Sequence, residues 1–505
     1  MIRTLARGIS VNLVGTVTRV AFVFLHSIVA ARLFGAKDYG VYAIGISAVA
    51  LLSSLGQVGF GRTLTRFVAV YRVRREPEHI LGLLHRVLII SLIVSFSIAF
   101  ILIFKSELIV RLFGEPGLAS GFHLYAFAIP ALSLAMLLAA FTQGFQRMQH
   151  KVIAIDIVRP AVEFFAMLLL VLWGAGQFGL AAPYLISVVA AALLLIRFAR
   201  VDIYKLREAF PEFDKGIIFP PSKPIIAFWM PIFTFDILTS ATTRASTLML
   251  GVLGTSAMAG IFSVVTRVVV LGNTFLNSTN AIFSPMIAHL VERREIAELD
   301  RLYKLTVRWI LVVSLPYFLL LLFYREPIIR LFGDEFVSGG DALAYFATAS
   351  IFHVATGSCS IILMMAGYPH YSAINEAIKL AIVVAGNLLL IPTYGLLGAI
   401  WSVAASIIIV DALKVIQVWW HMRVHPFSKQ LWKVATASIV MVIVMQLWKL
   451  QIVKVTSDWY VLVLGALLAT LLFGLTVVIA GLESEELRLF RTLMKRFDRS
   501  HIPAP

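Results

Sequence analysis

The pentapeptide Arg111-Leu112-Phe113-Gly114-Glu115 returns 219 residues later as Arg330-Leu331-Phe332-Gly333-Asp334. The same offset aligns Leu124 with Leu343, Phe127 with Phe346 and Gly35 with Gly254. Gly40-Val41-Tyr42 matches Gly260-Ile261-Phe262 at an offset of 220, and Gly179-Leu180 matches Gly395-Leu396 at 216. Any one short match arises by chance in a biased composition. A shared order at near-constant spacing is stronger evidence, so the chain partly repeats itself.

Hydropathy says what is repeated. The 505 residues are 60% hydrophobic and only 14% charged, against about 45–50% apolar in soluble domains. One soluble core cannot hide that excess, so it faces lipid. Fourteen apolar stretches of about 20 residues, the length that spans a hydrocarbon core of about 30 Å, run near 8–33, 40–61, 83–104, 121–145, 152–173, 178–197, 226–251, 257–289, 306–324, 342–366, 372–392, 396–419, 432–448 and 459–481. The first follows Arg3 and Arg7 as a secretory signal would. It is too long for a signal core and carries Asn12, Thr16 and Arg19, so it reads as a retained span. The eighth is long enough to tilt or to run into the interface.

The repeat offset covers six spans, so both copies enter the membrane in the same orientation. Parallel repeats imply two lobes about an axis along the membrane normal, with a path between them. The fold class is therefore all-α: a polytopic membrane protein of about 14 helices in two six-helix lobes related by a pseudo-two-fold repeat, plus two C-terminal helices. The expected organisation is an N-lobe over 1–200, a cytoplasmic linker over 201–225, a C-lobe over 226–423, spans thirteen and fourteen over 424–482, and an amphipathic cytoplasmic tail over 483–505.

The net charge is +16, from 43 Lys and Arg against 27 Asp and Glu. Such a balance often points to nucleic acid, but here its distribution explains it. With both termini cytoplasmic, 29 basic residues fall in or beside inner connectors, 8 in outer ones and 6 well inside spans. That is the positive-inside pattern of a multi-pass cell-membrane protein, and a nucleic-acid partner is not needed. The single cysteine, Cys359, excludes an intrachain disulfide or a cysteine-based zinc site. No phosphate-binding Gly-rich loop and no His-Glu-x-x-His motif occurs, so neither ATP hydrolysis by that machinery nor zinc hydrolase chemistry is expected.

Charged side chains inside spans are costly and default to function. Asn12, Thr16, Arg19 and His26 share one face of the first span. Asp236, Ser240, Thr243 and Thr247 form a stripe on the seventh, with Arg244 at its edge, and Ser263, Arg267, Thr274 and Asn277 form another on the eighth. The second is milder, with Ser47, Ser54 and Gln57, and ends at Arg62. These spans open each repeat and can jointly line one cavity. Arg19, Arg62, Arg244, Arg267, Asn12 and Asn277 are the candidate substrate ligands. A guanidinium is a planar, permanently charged donor fork suited to phosphate oxygens. The hydroxyl residues read as helix-packing groups. Asp156, Arg159 and Glu163, at i, i+3 and i+7 of the fifth span, read as a structural cluster. Asp236 is either an ion-coupling carboxylate or the ion-pair partner of Lys379.

The chain resembles the oligosaccharide-lipid flippases of polysaccharide biosynthesis, in the multidrug/oligosaccharidyl-lipid/polysaccharide exporter superfamily. The opening carries the likeness: Ala31-Arg32-Leu33-Phe34-Gly35, then Ala36-Lys37-Asp38-Tyr39-Gly40-Val41-Tyr42, a Gly-x-x-x-x-Gly-x-Tyr pattern after the first span. The Arg-Leu-Phe-Gly turns after spans three and nine and Gly367-Tyr368 after span ten agree with it. The resemblance implies a V-shaped pair of lobes opening alternately to either side. It implies movement of a polyprenyl-(di)phosphate-linked oligosaccharide from the cytoplasmic to the outer leaflet, with the lipid tail left in the bilayer. No covalent bond is made or broken, no cofactor is needed, and glycan polymerases or transferases are natural partners. Related lipid II flippases use cationic residues on the first, second and eighth spans, which match Arg19, Arg62 and Arg267 by span. Some relatives bind Na⁺ with an Asp on span seven and an Asn and an Asp on span eleven. Asp236 and Asn375 resemble two of these, while Lys379 stands near the third, so Na⁺ or proton coupling is left open. The alternatives are a cation-coupled multidrug antiporter of the same superfamily and, in a different class, a membrane glycosyltransferase or polysaccharide polymerase.

Overall fold

The structure is a computed structural model that describes residues 2–115, 117–174, 179–210, 218–451 and 459–479. The expected amphipathic tail over 483–505 lies outside the described residues. In chain order the helices are α1 (Ile2–Gly56), α2 (Phe60–Arg74), α3 (Pro77–Phe104), α4 (Ser106–Phe113), α5 (Gly117–Gly144), α6 (Met148–Lys151), α7 (Arg159–Leu172), α8 (Ala181–Ala209), α9 (Ser222–Leu253), α10 (Ser256–Gly272), α11 (Thr274–Glu292), α12 (Ile296–Phe323), α13 (Arg325–Arg330), α14 (Gly340–Thr356), α15 (Cys359–Met365), α16 (Pro369–Tyr394), α17 (Leu396–Met422), α18 (Leu431–Gln451) and α19 (Trp459–Ile479). No strand occurs among the described residues. Ten of these segments are long and apolar enough to cross a membrane, or eleven if α10 and the start of α11 form one span. The protein is a multi-pass membrane protein.

Three breaks encoded in the sequence set the direction of the helices. α1 covers the first two apolar stretches and kinks at Gly35, whose φ of 74° suits a residue without a Cβ. The eighth stretch breaks at Asn273 into α10 and α11. The fifth begins with a π-helical run, Val152–Val158, directly before α7. Pro160 explains the last break. Its ring lacks an amide hydrogen and crowds the carbonyl four residues back, and a wider local turn relieves the crowding.

The chain divides into two compact units. The first comprises Met1–Leu271, Ile328–Phe346 and Pro369–Val410, and the second Gly272–Pro327, Ala347–Tyr368 and the chain from Asp411.

In the first unit α5 is the most buried span and packs on α1, α2, α3 and α8. Lipid tails are as apolar as leucine, so close backbone approach and interhelical hydrogen bonds hold such helices together. The hydroxyl residues serve that end. Ser133 Oγ donates to the Ser53 carbonyl at 3.2 Å, Ser91 Oγ to the Gly56 carbonyl at 2.7 Å, and Asn387 Nδ2 to Ser246 Oγ at 2.9 Å. Gly40 and Gly260, equivalent positions of the two repeats, face each other. A Cβ on Gly260 would lie 2.5 Å from the Ala36 carbonyl oxygen, and one on Gly40 would strike the Ser256 carbonyl.

The second unit is pinned by buried polar contacts of its own. Asp411 accepts from His353 Nδ1 at 2.6 Å and pairs with Lys414 Nζ at 3.0 Å. Tyr303 Oη donates to the Thr356 carbonyl at 2.6 Å, and Cys359 is buried beside it. Arg308, 2% exposed, donates to Gln430 Oε1 at 2.8 Å.

Candidate functional site

A cavity of about 300 Å³ lies inside the first unit. Both halves of α1 line it, the first with Phe22 and His26 and the second with Tyr42, Ser53 and Gln57. α5, α7 and α8 add the facing wall, and α9 and α10 each contribute one residue, Arg244 and Arg267. Members of both repeats therefore meet on one space, and of the polar stripes and their edges His26, Gln57, Arg244 and Arg267 reach it.

Its electrostatics are lopsided. Three guanidiniums, Arg159, Arg244 and Arg267, line the cavity with one carboxylate, Glu163. That carboxylate accepts a hydrogen bond from the Tyr42 hydroxyl. Arg159 lies over the Tyr184 ring at 5.3 Å and Arg267 over the Tyr39 ring at 5.8 Å, contacts worth about 0.5–2 kcal/mol each. Arg267 also donates to Ser27 Oγ. Arg244 makes no hydrogen bond or ion pair among the described residues. Two buried polar atoms on the wall, Arg159 Nε and His26 Nε2, have no partner there either. A buried charge costs several kcal/mol unless compensated. Three cations against one anion leave about two charges over, so the space suits a dianionic group rich in acceptor oxygens.

The other expected residues fall elsewhere. Arg19 pairs with Asp156 at 3.3 Å and lies outside the cavity wall. Arg62, on α2, pairs with Asp236 of α9 at 3.2 Å and lies over the Phe235 ring at 5.4 Å. Asp236 thus has Arg62, rather than Lys379, as its cation. Asn375 is 1% exposed on α16, and Lys379 is half-buried one turn further along that helix. Asn277 is exposed on α11, in the second unit, because the break at Asn273 interrupts the stripe. The side chain of Asn12 lies outside the described residues.

Arg159 is the cavity residue that helical periodicity assigns to a structural cluster. On a regular α-helix Asp156, Arg159 and Glu163 share a face. The π-helical run turns less per residue, so Asp156 meets Arg19 while Arg159 and Glu163 face the cavity. The legible signal is Pro160 itself, directly after the arginine. No cluster of three potential metal ligands occurs among the described residues.

Comparison with known proteins places this architecture. The sequence profile of the family described as "Polysaccharide biosynthesis protein" matches residues 5–291, more than half of the chain. The chain belongs to that family. The MatE profile matches residues 231–389, within the second repeat. The capsular polysaccharide biosynthesis protein CapF of Staphylococcus aureus is 25% identical over 185 residues, which are 36% of this chain and 47% of that protein. The chain thus spans about half the length of the curated relative it matches.

Among solved structures, the lipid II flippase MurJ in an inward closed conformation superposes with a TM-score of 0.69 at 14% identity. That match covers 91% of this chain and 97% of that one. An inward-facing multidrug resistance MATE family transporter of the MOP superfamily superposes with a TM-score of 0.67 at 14% identity, over 80% and 94%. At such identities the likeness establishes the fold, and this member of the polysaccharide biosynthesis family shares it. What enters the cavity is decided by the cavity's own residues.

Proposed function

We propose that the protein is a flippase for a polyprenyl-(di)phosphate-linked oligosaccharide. It carries the lipid from the cytoplasmic to the outer leaflet by alternating access, making and breaking no covalent bond. The observation that carries the reading is the excess of guanidiniums lining one cavity, Arg159, Arg244 and Arg267 against Glu163. A phosphate or diphosphate supplies two negative charges and acceptor oxygens in the geometry that guanidinium forks match. In a site shielded from water such pairing is far stronger than at a surface. Membership in a polysaccharide biosynthesis family supports a sugar attached to that phosphate.

Both termini lie in the cytoplasm in this reading, because the basic connectors then face it. Arg62 serves as the partner of Asp236, so the coupling role expected of Asp236, Asn375 and Lys379 gives way to an ion pair at the α2–α9 contact. The rival antiporter reading also has support in the MatE match. It requires a wall that attracts cations, and this one repels them.

Deleting the protein and analysing the cell's lipid-linked sugars tests the proposal. It predicts accumulation of a cytoplasm-facing glycolipid. Unchanged glycolipid with altered drug tolerance would favour the antiporter.

A further inference from the structure

A second cavity, of about 270 Å³, lies in the same unit between α1, α3, α4, α5 and α9. Its wall includes Val49, Leu52, Leu102, Phe113, Ile129 and Leu248, and every lining side chain is hydrocarbon except the phenol of Tyr125. Protein interiors are close-packed and hold few such voids. An apolar cavity of this kind excludes water and takes hydrocarbon instead.

Its position relative to the arginine cavity is what matters. The two share three walls. The second half of α1 gives Ala50 and Ser53 to the charged side and Val49 and Leu52 to the apolar side. α5 gives Leu132 to one and Ile129 to the other. On α9, Arg244 faces the charged cavity and Leu248 the apolar one, a single helical turn apart. Residues four apart on a helix are neighbours. Tyr184 and Tyr125, one on each wall, have ring centroids 6.5 Å apart. A phosphate against Arg244 therefore lies one helical turn, about 5.4 Å along α9, from the apolar wall at Leu248.

The apolar cavity also borders a thinly covered edge of the unit at α4. α4 is an eight-residue helix with no buried residue. It starts where the chain breaks at Lys105 and ends at Gly114, whose φ is 62°. Leu112 of α4 lines the cavity and is nevertheless 58% exposed. Leu112 thus touches both the cavity and the surroundings of the first unit.

We propose that the phosphate-proximal isoprenoid units of the transported lipid enter this apolar cavity while the phosphate sits on the arginines next to it. The inference rests on the flippase reading above and adds a lipid-binding subsite to it. Hydrocarbon gains little by leaving a bilayer for a protein void, since both are apolar. The subsite therefore acts through shape: a branched, unsaturated chain fits the fixed wall differently from a straight saturated one. It selects polyprenyl phosphates over ordinary membrane lipids.

The test uses the full-length protein in lipid nanodiscs and a polyprenyl diphosphate with a diazirine on its first isoprene unit. After illumination the labelled peptides are mapped by mass spectrometry. The proposal expects label on peptides carrying Leu52, Phe113 or Ile129. Unlabelled polyprenyl diphosphate should compete at least tenfold better than a saturated alkyl diphosphate of equal carbon number. Filling the space with A126F should reduce that label at least tenfold while inorganic diphosphate still binds by calorimetry. The wild-type label position is decisive if that variant does not fold. Label elsewhere, with diphosphate binding intact, overturns the subsite and leaves the flippase reading standing. Equal competition by the saturated chain also overturns it. Absence of both labelling and diphosphate binding removes the arginine site, and the subsite with it.

Discussion

Glu335 accepts the backbone amide of Ala36 at 2.7 Å, and in the other repeat Glu115, which aligns with the adjacent Asp334, accepts the hydroxyl of Ser256 at 2.6 Å. Ala36 and Ser256 are themselves equivalent, each opening the second helix of its repeat. Each repeat therefore lends an acid from its Arg-Leu-Phe-Gly turn to the helix start of the other. Carboxylates are favourable at helix N-termini, where amides are unpaired and the dipole is positive. The repeated turn is thus more than a mark of duplication, because it bonds the two halves to each other.

Glu335→Ala should cost about 0.5–2 kcal/mol, the usual penalty for losing a helix cap. Glu115→Ala should cost less, because the Ser256 hydroxyl can turn to another acceptor, although the Lys37 contact at 3.5 Å goes with it. Thermal melting in detergent micelles measures both. An unchanged midpoint for Glu335→Ala would show that the acid adds nothing at Ala36.

Gly40 and Gly260 should tolerate no side chain. The atoms a new Cβ meets, the carbonyl oxygens of Ser256 and Ala36, are backbone, so relief requires the helices to part. Gly40→Ala should destabilise by about 1–3 kcal/mol, as overpacking does, and Gly40→Leu should abolish monodisperse folded protein. Size-exclusion chromatography and melting curves read the outcome. A Gly40→Ala protein melting with wild type would contradict the close crossing.

Arg159 should matter to substrate and Arg19 should not. Arg159 is on the cavity wall, whereas Arg19 is half exposed and paired with Asp156. Losing one charge-assisted contact to phosphate is worth about 1.5–3 kcal/mol, so Arg159→Ala should weaken binding of a polyprenyl diphosphate by roughly 10- to 150-fold. Arg19→Ala should leave it within about twofold. Calorimetric titration of both variants decides, and the reverse ranking would misplace the site.

Transport should be indifferent to Na⁺. Asp236 is paired with Arg62 at 3.2 Å, and a guanidinium stands against its carboxylate. Side chains this exposed form weak pairs, worth about 0–1 kcal/mol, so Asp236→Asn should leave stability nearly unchanged as well. Replacing Na⁺ by choline in a vesicle flipping assay checks the first point. A several-fold loss of rate on Na⁺ removal would restore Asp236 and Asn375 as an ion site.

Much of the architecture is readable from the chain. Composition and span length specify an all-helical membrane protein, and the offset of 219–220 relates Gly40 to Gly260, which the helices then bring together. Arg244 and Arg267 are legible because an intramembrane arginine needs a reason to be there. Arg159 is not, because helical periodicity assumes a constant turn, and the π-helical run before Pro160 breaks that assumption. Asn277 fails for a related cause: its stripe crosses the break at Asn273. Ion pairs such as Arg19–Asp156 and Arg62–Asp236 join residues far apart in sequence, and periodicity within one span carries no information about them.

In the proposed mechanism, guanidiniums inside the first unit carry a lipid-linked phosphate across the membrane. The most direct measurement reconstitutes the protein in vesicles with a fluorescent polyprenyl-diphosphate-linked sugar and follows its leaflet exchange by membrane-impermeant quenching. Wild type should equilibrate the leaflets, and Arg244→Ala, a change at a residue with no hydrogen bond or ion pair among the described residues, should fold normally and exchange at the protein-free rate. Equal exchange by wild type and Arg244→Ala, or none by wild type, would contradict the account.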